Sequence, residues 1–299
     1  MSEDCCWPAV LECVFAERGG RTVLDRLRFE GPLRVQRPFY PEKAGQKSGA
    51  APCHCYLLHP PGGMASGDDL RIHCAVEPGA HCLLTWPSAG KVYRTDRRGT
   101  AQRQAFSAVL DNAVCEWLPQ ETILFNGSGA VFSSFFHLSG QSRLIAWDIV
   151  CFGRRAAGEA FEQGSFLQRT VIVRDGMPLV HERLDMEANG PLWASSAGLR
   201  GGAVSATVYA CGGKDAPEDA EALRGACARL QKMFLRPAKN GCDGRVGVRS
   251  GVTCRGGVLV ARCLGHDGAA AKRFCFSVWR VIRPLLLGRR ACPPRVWNV

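Results

Sequence analysis

The chain has 299 residues, 46% of them hydrophobic and 22% charged, with 16 cysteines and a formal net charge of +11. These proportions are those of a folded globular protein and exclude intrinsic disorder, while the length admits one large all-β domain or two ordinary ones. The charge favours an anionic partner and is concentrated late: from Arg262 onward eight basic residues stand against one acid, Asp267, a net +7 of the +11.

In chain order, Met1 to Cys6 carries acid where a secretory signal needs a basic region, and no apolar core follows, which predicts cytoplasmic residence. Two-residue alternation then dominates the first two thirds. Leu70, Ile72, Cys74 and Val76 share one face, Glu77-Pro78-Gly79 turns the chain, and Ala80, Cys82 and Leu84 continue the pattern, the signature of a β meander. Further turns are predicted at Asp111-Asn112, Asn126-Gly127-Ser128, Ser139-Gly140 and Asp175-Gly176. The most apolar run, Leu144 to Phe152, is interrupted by Asp148 and falls far short of the roughly 20 residues that a membrane-spanning helix needs.

Two helices are predicted in the last third. Asp215 can cap the first, Pro217 suits its opening turn, and Leu223, Cys227, Leu230 and Phe234 recur at helical spacing until Arg236-Pro237. The second runs from about Gly268 to Arg283 on a stripe of Phe274, Val278 and Ile282, with Pro284 as its stop. Between them, Arg245 to Leu264 reads as a hairpin. With no internal repeat and no low-complexity linker, the expectation is a single domain over 1–299, mainly β with two C-terminal α-helices.

Common chemistries are missing. There is no G-x-x-x-x-G-K-[ST] loop to wrap phosphates, no H-E-x-x-H to set two imidazoles on one helical face, and no G-x-S-x-G nucleophile elbow. The cysteines are scattered singly, which reads as reduced core thiols, with Cys74, Cys82, Cys115 and Cys151 standing where Val or Ala would serve. Cys53-His54-Cys55 with His59 is the one dense group of soft ligands, but strand alternation sends the two thiols to one face and His54 to the other. On the residues alone, a basic nucleic-acid-binding β module and a Cys-dependent enzyme both stay open.

Long blocks of the chain resemble one family. Gly31 to Glu42, Tyr56 to Gly63 with Gly67-Asp68, Lys91 to Arg94, Glu116 to Phe125, Ala146-Trp147-Asp148, Gly153-Arg154 with Gly158 to Phe161, and Arg283-Pro284 to Trp297 are similar, in the same order, to the signature blocks of the UreD (UreH) family of urease accessory proteins. The chain departs from the family pattern at Gly90, where a hydroxyl residue is usual, and at Asn126, where an acid is common. The resemblance implies an elongated, helically wound stack of β-strands with two helices. It further implies a non-catalytic scaffold that binds UreF, the GTPase UreG and apo-urease, and that handles nickel transiently through an internal tunnel, with no tightly bound cofactor.

Physical reasoning supplies candidates for that route. Asp148 leaves an apolar strand between Ala146 and Val150, and Glu182 does the same between Val180 and Leu184, where an unpaired charge is costly. Each needs water, a cation, or an arginine such as Arg143 or Arg183. Asp68 joins them on its family block, although a turn whose carboxylate satisfies nearby backbone donors explains it as well. The expected nickel contacts are therefore Asp68, Asp148 and Glu182, and no catalytic residue is expected.

Overall fold

A computed structural model describes residues 7–45, 49–234 and 248–298. Its strands are β1 (Trp7–Arg18), β2 (Arg21–Glu30), β3 (Arg34–Val35), β4 (Cys53–Leu58), β5 (Asp68–Val76), β6 (His81–Thr85), β7 (Gly90–Val92), β8 (Gln102–Asp111), β9 (Val114–Trp117), β10 (Thr122–Leu124), β11 (Ser128–Ser139), β12 (Arg143–Phe152), β13 (Gly164–Arg174) and β14 (Met177–Glu187). There follow α1 (Pro191–Ala194), β15 (Val204–Cys211), α2 (Pro217–Phe234), β16 (Val248–Arg255), β17 (Val258–Gly265) and α3 (Gly268–Leu287). The chain is mainly β as expected, with α1 a single turn that no periodicity announced.

The expected meander is not what the strands form. They build a seven-stranded sheet, β14-β13-β11-β8-β5-β1-β2, and a ten-stranded sheet whose main path is β16-β17-β15-β12-β9-β6-β4-β3. The turn at Glu77-Pro78-Gly79 carries the chain from β5 in the first sheet to β6 in the second. Each return lays a strand parallel to its predecessor, so β1, β5, β8, β11 and β13 are successive parallel neighbours, as are β4, β6, β9 and β12. Alternation cannot distinguish these cases, because a strand half-buried beside a parallel neighbour has the same period as one in a hairpin. The result is a wound chain, as the resemblance implied. Hairpins occur at the ends, including the expected one at β16 and β17; its first residues, 245–247, lie outside the described ones.

Residues facing inward from both sheets form one core, including Leu11, Phe106, Phe136, Trp117 and Phe152. Phe106 and Trp117 stack across it with ring centroids 3.8 Å apart. The opposite face of the ten-stranded sheet forms a second core with the helices, where Trp147 and Ile149 meet Phe274, Val278 and Trp279 of α3. The strand-to-loop corner after β12 requires glycine. Gly153 has φ +85°, and a Cβ there would lie 2.5 Å from the Glu159 carbonyl oxygen.

Two helix details differ from expectation. Pro284 does not end α3, which continues to Leu287 and stops at Gly288 in the left-handed conformation. Burial of Ile282, Leu286 and Leu287 compensates the one backbone bond the proline removes. Asp215 adopts φ 46° and makes no hydrogen bond to α2 among the described residues; Arg236-Pro237, the expected stop of that helix, lies outside them.

Candidate functional site

Strand β12 divides its side chains between the two cores. Leu144, Ala146, Val150 and Phe152 point between the sheets, while Ile145, Trp147, Ile149 and Cys151 face the helices. Asp148 follows the even set into the inter-sheet space. It pairs with Thr207 of β15 on one side. On the other side the sheet is interrupted: β9 ends at Trp117 opposite Ala146, and β10 begins at Thr122 opposite Val150. Asp148 therefore stands at a gap in its own sheet.

Protein packs around its carboxyl, yet the residue keeps part of its surface accessible. Burial pushes its pKa up to about 7. Among the described residues it has neither a hydrogen bond nor an ion pair. Arg143, one conceivable partner, binds Asp219 at 2.7 Å instead.

Glu182 of β14 points into the same space from the opposite sheet. Tyr209 of β15 donates its hydroxyl to Glu182 Oε2 at 2.8 Å, and Arg262 of β17 pairs with Oε1. Arg183 turns away to Asp185. Tyr209 links the two candidates, since its own hydroxyl is held well above the ordinary range by burial and by the nearby charge of Asp148. Glu182, Thr170, Thr207, Tyr209 and Arg262 line a cleft of about 420 Å³.

A second cleft, of about 430 Å³, is lined by His59, Met64, Gln104, Thr122 and Phe132 among others. Strand register relates the two. Leu70, Gln104, Phe132, Gln168 and Leu184 form one row across the seven-stranded sheet. The first three line the second cleft and the last two the first cleft. On the facing sheet, Gly90, Thr122, Val150 and Ser205 make the matching row, again with one cleft at each end. Phe132 and Val150 stand between, and Asp148 is the next residue on Val150's face.

Asp68 is placed elsewhere. It opens β5, and its Oδ2 accepts the Ala65 N–H at 2.7 Å, closing the turn in which it sits. Burial lowers the pKa of His59, and the Asp68 charge opposes that shift, so Asp68 stands beside the second cleft rather than near the other two carboxylates. The structure thus gives Asp148 and Glu182 a common neighbour in Tyr209 and places Asp68 beside the other cleft. Cys53 and Cys55 point into the inter-sheet core and His54 away from it, and among the described residues no three His, Cys, Asp or Glu side chains form a group able to hold a metal ion. All thirteen described cysteines are free. Burial pushes Cys53 up to about 12 and Cys55 and Cys82 well above the ordinary thiol range, which makes them poor nucleophiles at neutral pH.

A second set of buried charges, to which sequence reasoning assigned no role, lies on the helix side of the ten-stranded sheet. Glu116 of β9 and Arg283 of α3 are fully buried and joined by three hydrogen bonds of 2.9 to 3.0 Å. Arg283 also holds both oxygens of Glu42, at 2.7 and 2.9 Å. His54 reaches Glu42 at 2.9 Å, His81 reaches Glu116 at 2.8 Å, and Trp279 donates to Glu116 at 2.6 Å. Burial would raise the pKa of both carboxyls, but His54 and Arg283 bring Glu42 down to about 2, and Arg283 and His81 hold Glu116 lower still. Arg289 completes the set by donating to the carbonyls of Lys43, Gly49 and Ala50. This is a latch between α3 and the segment before β4. Its trace in the sequence was a charge inside the apolar Val114–Trp117 strand.

The chain is thus a wound, mainly-β protein closed by an ionic latch, with carboxylates set among its apolar strands. A family model described as UreD urease accessory protein matches residues 8–298. Among similar proteins, a urease accessory protein UreD from Dechloromonas aromatica is 41% identical over 98% of this chain and 94% of its own length. One from Chromohalobacter salexigens is 41% identical over 97% and 88%, and one from Pseudomonas putida 39% over 98% and 95%. The chain belongs to the UreD family of urease accessory proteins. No described helix is long and apolar enough to cross a membrane.

Proposed function

We propose that this chain acts in the cytoplasm as a non-catalytic scaffold of urease maturation. In this reading it binds apo-urease, UreF and the GTPase UreG, and lets nickel pass as cargo between its two sheets. The single observation that carries the nickel part is Asp148: a carboxyl without a partner among the described residues, one step along its strand face from Val150, whose row runs from one cleft to the other. A carboxyl whose pKa is raised to about 7 holds a proton roughly half the time at neutral pH, and a divalent cation binds by displacing it. Such a contact is weak and exchangeable, as transit requires.

Glu182 is the matching contact at the cleft mouth. Its pair with Arg262 is half-exposed, and such pairs contribute about 1 kcal/mol or less, so the arginine can yield to an arriving cation. Asp68, beside the His59 cleft, is the third contact, with one carboxylate oxygen already used by the Ala65 N–H. GTP hydrolysis belongs to a partner in this scheme, consistent with the missing phosphate-binding loop.

The test is to co-express Asp148→Ala and Glu182→Ala variants with the remaining urease proteins, then measure urease activity, nickel per active site and recovery of the complex. An intact complex with under-loaded urease is expected, the double variant being worst and Asp68→Ala mildest. Full activation in the double variant would remove these residues from the route. Loss of the complex itself would make them structural.

A further inference from the structure

Residues 268–298 contain no Asp or Glu and seven Lys or Arg. Two of the seven, Arg283 and Arg289, are buried and used inside the latch. The others reach the surface: Arg273, Arg280, Arg290 and Arg295 are exposed and Lys272 is half-buried. The outward side of α3, with Arg290 and Arg295 beyond its end, is thus a basic surface whose one neighbouring acid in sequence is the capping residue Asp267.

At the N-terminal half of α3 this surface opens into a cleft of about 310 Å³, with Trp147, Phe276, Trp297 and Pro119 within it and Lys272 and Arg273 also lining it. Its indole N–H groups are already engaged: Trp147 donates to the Pro119 carbonyl at 2.7 Å and Trp297 to Thr85 Oγ1 at 3.0 Å. The rings are also fixed against one another, with centroids of Trp297 and Trp147 5.5 Å apart. What remains for a ligand is apolar surface, which selects a hydrocarbon or aromatic group over a hydrogen-bonding one.

The cations beside the cleft are available. Arg273 has a single carboxylate partner, Asp267 at 3.5 Å, with both side chains more than half exposed. Exposed pairs of this kind contribute little and exchange readily. Lys272 has no hydrogen bond or ion pair among the described residues. An apolar cleft flanked by Lys272 and a loosely paired Arg273 is complementary to one large apolar side chain flanked by carboxylates.

We infer that this cleft between α3 and the C-terminal segment is a docking site for an acidic protein segment anchored by one aromatic or large aliphatic side chain. It lies on the helix side of the ten-stranded sheet, outside the inter-sheet passage, and it does not depend on nickel. A single-stranded nucleic acid fits less well. Bases stack on exposed ring faces, whereas Trp147 is only 2% exposed and Phe276 and Trp297 are half-buried.

The probe is a short fluorescein-labelled peptide of Asp and Glu with one central Phe, titrated into the purified full chain at low salt and followed by anisotropy. Matched peptides replace the Phe by Ser or the acids by their amides, and a short oligothymidine serves as the nucleic-acid control. Saturable binding is expected, weakened about tenfold or more by losing the Phe, by amidating the acids, or by the surface double variant Lys272→Glu, Arg273→Glu. Equal binding of the Phe and Ser peptides would overturn the anchored site, as would no loss in the double variant. Oligothymidine binding as tight as the peptide would replace the protein segment with a nucleic acid. The three ligand controls use the unmodified chain, so the conclusion does not rest on a variant's folding.

Discussion

Glu116 and Asp148 are buried carboxylates on adjacent strands of one sheet, and their surroundings take them in opposite directions. Glu116 faces the helices and receives Arg283, His81 and Trp279, so its charged form is held far below the ordinary carboxyl range. Asp148 faces the space between the sheets and receives nothing from the described residues, so its charged form is penalised and its pKa rises to about 7. Burial is common to both. The difference is whether the fold supplies donors, and it separates a carboxylate that holds the chain together from one left available to something that arrives.

The largest effect should come from breaking the paired site. Arg283→Met leaves Glu116 and Glu42 buried without their cation and should cost about 3 to 5 kcal/mol in denaturant unfolding. Adding Glu116→Gln to that variant should recover part of the loss. A cost under about 1 kcal/mol would show that the pair is not the latch described.

Asp148 should behave in the opposite sense. Its pKa is raised from 3.8 to about 7, so between those values the native state holds a proton that the unfolded chain releases, and stability falls as pH rises through that window. Asp148→Asn should therefore stabilise the chain at pH 8, by an amount on the order of 2 to 4 kcal/mol, and change it little at pH 4. A gain near the bottom of that range, measured by urea midpoints at both pH values, would indicate that water reaches the carboxylate. No gain at pH 8 would mean that Asp148 is paired after all and would collapse the contrast with Glu116. The smallest effect concerns the link between regions: Tyr209→Phe removes one hydrogen bond to Glu182 while Arg262 remains, at about 1 kcal/mol by the same measurement.

Much of this was legible in the residues. The strands followed from two-residue alternation, and Asp148 and Glu182 stood out because a charge interrupts an apolar face in each. Their neighbours were not legible: the arginine that meets Glu182 is Arg262, 80 residues away, rather than the nearby Arg183. The latch was hidden for a related reason. Arg283-Pro284 looks like the basic last turn and stop of a helix, but α3 continues to Leu287, which puts Arg283 inside it and facing Glu116, 167 residues earlier in the chain. Parallel winding, implied by the family resemblance, was invisible to periodicity itself, since pairing partners lie a full circuit apart and period two is blind to direction.

The latch also carries a consequence for synthesis. Arg283 joins Glu42 across 241 residues, so the segment before β4 waits for α3. Circuits of the wound sheets can be laid down in order as the chain emerges from the ribosome, but until residue 283 arrives, Glu42 and Glu116 lack their arginine and only α2 is available to cover the helix face of the ten-stranded sheet. Such an intermediate exposes apolar surface for the whole time of translation, which makes aggregation its natural hazard and gives an early-binding partner something to protect.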